Sequence, residues 1–246
     1  MNKYLKPFVN SLPVVIIMAL LFIPIPTLVL VIMYAVLWLL CGLCLVGAIK
    51  GKEMFKTLPR KMLFLSLWIL GTEISFTRTI LDSQRSVLYK YVAALNFNYI
   101  VNIVAGIALV IAINILVNRG LKKQAEVCAK FALDTMSQKF FDIDNRLSTG
   151  EITQESAAQK KDEIRKDIDF CSNMDGSSRL LAGTTNSLIF IYLVCVIAGC
   201  IVRVMNNELS IIQALQESSF LALLNVLLFA VPVLLLAIAG MHAIRR

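Results

Sequence analysis

Glu73 and Arg78 stand out because both interrupt the otherwise apolar stretch Met62 to Leu81, which has the length of one bilayer crossing. An ionisable side chain inside such a span costs at least about 2.5 to 3.5 kcal/mol on insertion scales, so each needs a partner or water. Five residues apart on a helix they point about 140° away from each other, which argues against a direct pair within one molecule. Two readings stay open. Either they belong to a polar path or inter-helix clamp, or Arg78 snorkels to the membrane surface while Glu73 meets an Asn or Thr on a neighbouring helix. Asn114 and Asn225, with Asn96, Asn98 and Asn102, are the amides placed to supply such contacts. Other candidates for chemistry are weak. Cys41-x-x-Cys44 lies within an apolar run, without the aqueous approach that a redox motif needs, and Cys195 and Cys200 are of the same kind. His242 is a lone polar residue at a helix end. No phosphate-binding glycine loop, nucleophile elbow or metal-spaced His/Cys/Glu cluster occurs, so neither an enzyme nor a metal or other cofactor is expected.

The elements that position these residues follow from composition. With 58% apolar and 16% charged residues and a mean hydropathy of +0.77, the 246 residues describe a membrane protein rather than a soluble globule. A bilayer core of roughly 30 Å needs about 20 apolar residues of helix. The uncharged run from Pro7 to Ile49 is twice that length and is broken by Pro24 and Pro26, which predicts two helices, Val9 to Ile23 and Thr27 to Ile49, joined by a proline turn. The remaining spans are Met62 to Leu81, Tyr91 to Asn118, Leu180 to Val202 and Ser218 to Ile244. The expected fold is all-α and polytopic, with about six transmembrane helices: four in residues 1–118, a helical lobe in 119–179, and two in 180–246.

Charge gives the orientation. With the N-terminus inside, all of the 24 Lys and Arg fall on the inner side except Arg78, Arg85, Lys90 and Arg203. Both termini are therefore expected in the cytoplasm, and no cleavable signal is apparent. The net charge of +8 belongs to these membrane edges, since residues 119–179 carry eleven basic and eleven acidic groups. No nucleic-acid partner is implied.

Within the lobe, Lys122 to Met136 reads helical after Arg119-Gly120 closes the fourth span, with Val127, Phe131, Leu133 and Met136 as apolar contacts. Ser148 and Glu151 have capping-box spacing and are expected to open a second helix, with Ile164, Ile168 and Cys171 on one face and an Asp162–Lys166 pair on the other. A lobe packed against itself and a surface for docking partners both fit this pattern.

The segment KKQAEVCAKFALDTMSQKFFDIDNRL, Lys122 to Leu147, resembles the signature of the FHIPEP family, the export-gate proteins of flagellar and virulence type III secretion. Glu126, Phe131, Asp134, Lys139 and Asp144 stand at signature positions. Further anchors occur in family order: Phe22 to Thr27 is similar to the IPLPT turn, Phe55 to Pro59 to FxTFP, Thr77 to Leu81 to S-[TS]-R-x-I-L, Met174-Asp175-Gly176 to MDG, and Pro232 to Gly240 to PALLIAxxAG. The resemblance implies a multi-pass protein of the bacterial inner membrane. Its partners would be the lipid bilayer, further copies in a homo-oligomeric ring and other membrane proteins of the export apparatus. Glu73, Arg78, Asn114 and Asn225 become candidates for an intramembrane path that couples proton flow to export.

Departures qualify that expectation. Val31 and Ile69 stand where the family has an Asp and an Arg, Leu224-Asn225-Val226 replaces GDG, Ser137-Gln138 replaces Pro-Gly, and Arg146 replaces an Asp. Family members also continue through two more helices and a substrate-docking domain beyond the part that these 246 residues resemble. An export-gate subunit, a diverged form with impaired proton coupling, a stand-alone carrier or channel, and a structural ring subunit are the readings to separate.

Overall fold

A computed structural model describes residues 26–50, 52–81, 98–207 and 210–245. The expected first span Val9 to Ile23, most of the proline turn, Arg85, Lys90 and Asn96 lie outside the described residues. The described chain is almost entirely helical: α1 (Thr27–Lys50), α2 (Lys52–Leu81), α3 (Tyr99–Ile115), a π-helical turn (Leu116–Lys122), α4 (Lys123–Ser148), α5 (Gln154–Asn207) and α6 (Ile211–Ile244). Four helical stretches among the described residues are long and apolar enough to cross a membrane: Leu28–Lys50, Tyr99–Ser148, Gln154–Asn206 and Ile211–Ile244. The stretch Met62 to Leu81 does form part of a helix, α2, but α2 is not one of the four.

α6 is the central helix and packs against α1, α2, α3 and α5. Its partner α1 shows why. Leu30, Tyr34, Leu37, Cys41, Cys44 and Ala48 repeat at alternating steps of four and three and are buried, forming one seam. Cys41 and Cys44 are thus apolar packing positions. The opposite face of α1, including Leu28, Val31, Leu39 and Leu43, is exposed and wholly apolar, as lipid contact requires.

Pro232 lies inside α6. It has no N–H to give the carbonyl one turn back, and Trp38 of α1 donates its indole Nε1–H to that Leu228 oxygen at 3.3 Å. The neighbouring helix thereby satisfies the carbonyl that the proline frees.

The structure corrects two expected breaks. Arg119-Gly120 does not close a helix, because Gly120 stays helical inside the π turn, where a Cβ would stand 3.3 Å from Met241 Sδ. The chain runs helically from Tyr99 to Ser148. Ser148 and Glu151 do not open a helix either. Gly150, with φ of 77°, ends α4: its N–H bonds to Leu147 O at 3.2 Å and the Glu151 N–H to Arg146 O at 3.0 Å, while Ser148 Oγ donates to Asn145 O. Thr153 is the actual cap of α5, accepting from the Ser156 N–H at 3.2 Å.

At 54 residues α5 is about 80 Å long, far more than a bilayer core, and it passes through residues 179 and 180 without a break. The lobe is therefore a hairpin made of extensions of two long helices. Its seam uses small residues: Ala125 and Ala129 are buried against α5, and the helices approach closely enough for Cys128 and Cys171 to be disulfide-bonded, with Cα atoms 5.7 Å apart.

Candidate functional site

The interior of the bundle is polar where α2, α5 and α6 meet. Ser66, Glu73 and Thr77 fall on one stripe of α2, at i, i+7 and i+11, and all are buried. Glu73 has no exposed surface, and neither of its carboxyl oxygens is hydrogen-bonded. One turn on, Thr77 Oγ1 donates back to the Glu73 carbonyl at 2.9 Å and accepts from Asn225 Nδ2 of α6 at 3.2 Å. Cys195 of α5 closes the group, its sulfur 3.7 Å from Thr77 Oγ1 and 3.8 Å from Asn225 Nδ2. Asn225 Oδ1 accepts no bond. Most hydroxyls nearby, those of Ser66, Thr72 and Ser218 among them, bond to carbonyls of their own helix. The Glu73 carboxyl oxygens and Asn225 Oδ1 are left as unmet acceptors beside these satisfied hydroxyls.

A second level lies at the Leu81 end of α2. Arg203 of α5 is 1% exposed. Its Nη1 donates to Gly199 O at 2.9 Å, its Nη2 to Ile80 O at 3.2 Å, and its Nε stands 3.5 Å from Glu217 Oε2 of α6. A cation suits the carbonyl end of α2. Gly199 leaves the room: a Cβ there would meet Arg203 Nη1 and Ser218 Cβ at 3.1 Å. From Ser66 to Ile80 this polar column covers about 20 Å of helix axis.

Of the candidate path residues Glu73, Arg78, Asn114 and Asn225, the structure brings Glu73 and Asn225 to one column, and it adds Arg203 and Glu217, which were not candidates. Arg203 counted only as one of four outer charges, since a cation at the edge of an apolar run looks like a snorkelling residue. The available signal was Gly199 four residues before it and an acid, Glu217, at the start of the next apolar run. Arg78 is on the exposed side of α2, apart from Glu73, as their helical angle required. Asn114 belongs to a different cluster, in which its Nδ2 donates to Asn186 Oδ1 at 2.8 Å and Asn118 Nδ2 donates to Asn114 Oδ1 at 2.9 Å. Asn98 caps α3, accepting from the Ile100 N–H at 3.0 Å.

The hairpin holds the other set of singled-out residues. Glu126 pairs with Lys130 at 2.8 Å, and Asp144 with Lys161 across the hairpin at 2.5 Å. Lys161 and Arg165 also stand over the Phe140 ring, 5.8 and 5.9 Å from its centre. The Lys130 hydrogen bond and charge hold the Glu126 carboxyl below its usual range and raise Lys130 in turn. The expected Asp162–Lys166 pair is formed. Asp134 and Lys139 are exposed. Val127, Phe131 and Leu133 do not pack inside the lobe as expected: they are 58%, 66% and 55% exposed, and Ala125, Ala129 and Ile143 are the residues of α4 that are buried.

The FHIPEP family matches residues 16–246. The chain belongs to the FHIPEP family. This FHIPEP chain is 30% identical over 233 residues to the flagellar biosynthesis protein FlhA of Bacillus subtilis, covering 92% of its own length and 34% of that protein's. Against FlhA of Caulobacter vibrioides the identity is 29% over 240 residues, 94% of this chain and 34% of the relative. With the low calcium response locus protein D of Yersinia pestis it is 30% over 222 residues, 88% and 32%. The chain spans about a third of the length of these relatives. No solved structure matches it.

Proposed function

We propose that this FHIPEP chain is an inner-membrane subunit of a type III protein-export apparatus, in which the column between α2, α5 and α6 takes part in coupling and the α4–α5 hairpin faces the cytoplasm. Glu73 carries this reading. Among the described residues it is the only acidic side chain that is fully buried, its carboxyl oxygens are unbonded, and it lies one turn from Thr77, which bonds Asn225, an arrangement suited to taking up and releasing a proton. Where relatives of the signature carry charges, Val31 faces outward and Ile69 is buried, so this chain's coupling rests on Glu73 rather than on those positions. The exposed Phe131, Asp134 and Lys139 are the surface for neighbouring copies in a ring and for other export proteins.

The test is export itself. Glu73→Gln keeps the shape and removes the titratable group, and is expected to reduce secretion of export substrates at least about tenfold while the protein reaches the membrane at its normal level. Unimpaired secretion by that variant removes Glu73 from coupling. The column also fits a stand-alone carrier: solute uptake by proteoliposomes containing this chain alone would favour that reading.

A further inference from the structure

We propose that Cys128 and Cys171 form a dithiol–disulfide site, opened and closed by small anionic disulfides of the glutathione class that enter a cationic groove beside Cys128. This rests on the cytoplasmic placement of the hairpin.

Three observations converge on it. The two cysteines face each other across the alanine seam with Cα atoms 5.7 Å apart, a separation that a disulfide spans without backbone movement. Both are half-buried rather than sealed in the core, unlike Cys41, Cys44 and Cys195. Cys128 lines an open groove of about 560 Å³, in the size range of small-ligand sites, where Arg119, Lys123 and Arg245 supply positive charge and Val127 and Phe131 an apolar wall. No acidic side chain lines the groove, and among the described residues none of its three cations is in an ion pair.

That setting suits thiol–disulfide exchange. Nearby cations favour the thiolate and concentrate an anionic reagent. The Cys128 thiolate attacks one sulfur of the disulfide RSSR, forming Cys128–S–SR and expelling RS⁻. The Cys171 thiolate then attacks the Cys128 sulfur and expels the second RS⁻. The two protons given up by the cysteines end on the two RSH released, so the cysteine pair is oxidised and RSSR is reduced. The reverse sequence, with RSH in excess, reopens the bond. In the cytosol such a bond is transient rather than structural. Closed, it ties α4 to α5 over a 43-residue separation at the base of the hairpin.

Trypsin releases Cys128 in residues 124–130 and Cys171 in residues 167–179, so mass spectrometry of unreduced digests reads the bond directly. Inside-out membrane vesicles holding the full chain are equilibrated with graded ratios of oxidised to reduced glutathione, then alkylated and digested. The linked peptides are expected to accumulate as the ratio rises and to disappear in excess reduced glutathione. Linkage that never forms, or that survives excess reduced glutathione, overturns the proposal. Lys123→Gln is expected to slow oxidation by glutathione disulfide at least about threefold while leaving oxidation by the cationic disulfide cystamine no slower. Equal slowing of both rejects the groove's part. Labelling of the reduced thiols by an impermeant maleimide in inside-out vesicles but not in intact spheroplasts confirms the inward placement. The opposite labelling overturns that placement separately from the redox chemistry.

Discussion

The bundle and the hairpin are built from the same long helices, yet they distribute polarity in opposite ways. Along α5, the lower half carries Thr184, Thr185, Cys195 and Arg203 inward with Phe190, Leu193 and Ile197 outward, whereas the upper half turns Ala157 inward and Glu163, Asp167 and Asp169 outward. One helix changes solvent part-way along its length. In the bundle, each inward polar group is held by a helix carbonyl, by a partner on another helix, or, like Glu73, by neither. In the hairpin the charges pair along or across the surface and stay wet. The lesson is that an equal charge has unequal weight in the two regions, and mutations sort accordingly.

The largest expected effect is in the bundle. Arg203→Ala removes the group that ties Gly199, the end of α2 at Ile80 and Glu217 together, and leaves Glu217 with 15% side-chain exposure and no opposite charge on Arg203. Breaking a buried pair in this way costs about 3 to 5 kcal/mol. Thermal unfolding of the purified chain in detergent measures it. A loss below about 1 kcal/mol would mean that water reaches Arg203 and that the interior is not dry there. The double variant Arg203→Ala with Glu217→Ala is expected to recover part of the loss, because the charge opposite the lost guanidinium is removed with it.

A smaller effect tests the alanine seam. Ala125 has no exposed surface, and Leu in its place overpacks the contact of α4 with α5, at about 1 to 3 kcal/mol. The same change is expected to lower the yield of the Cys128–Cys171 bond, since it pushes the two backbones apart next to it. Phe131→Ser is expected to move stability by no more than about 0.5 kcal/mol, because the ring is 66% exposed, while reducing co-purification of other export-apparatus membrane proteins. A stability loss of about 2 kcal/mol or more would place the ring in a packed interior and restore the reading of the lobe as a unit folded around Val127, Phe131 and Leu133.

Much of this architecture was legible because hydrophobic length and charge asymmetry are additive signals. Helices over Thr27 to Ile49 and Ser218 to Ile244 follow from apolar runs, and the Asp162–Lys166 pair from spacing, whereas Met62 to Leu81, interrupted by Glu73 and Arg78, is helical without being apolar enough to count among the four spanning stretches. What failed was directional. A capping box and a Schellman end draw on the same few residues, and only the backbone of Gly150, with its positive φ, decides that Ser148 is still inside α4. Phe131 looked like core because large apolar residues usually are, but the packing face is set by where small residues let two backbones approach. Arg203 looked peripheral because, beyond the Gly199 carbonyl one turn back, its clamp joins a carbonyl of α2 and an acid of α6 that lie far away or across a loop in sequence. The Trp38 bond to Leu228 is of the same kind: sequence shows that Pro232 frees a carbonyl, and only the packing of α1 shows what meets it.

The smallest effect sharpens the contrast between the regions by pH. Lys130 holds the Glu126 carboxyl below its usual range by hydrogen bond and charge. Because the folded-state value is the lower one, the pair's contribution is complete above the ordinary glutamate range and is lost as pH falls through the lowered folded-state value. The Glu126 side of the pair is thus lost in acid, while the raised Lys130 gives up its share only as pH climbs through its own folded-state value. The pair is exposed, so salt screens it and its weight is slight. Amide hydrogen exchange over residues 123–135 is expected to quicken modestly between pH 5 and pH 3, after correction for intrinsic rates, and Glu126→Gln is expected to flatten that dependence. Raising the salt to about 1 M is expected to shrink it as well. An unchanged pH dependence in Glu126→Gln would show that the hairpin's acid response comes from elsewhere, with Asp144 and its bond to Lys161 across the helices the next pair to remove.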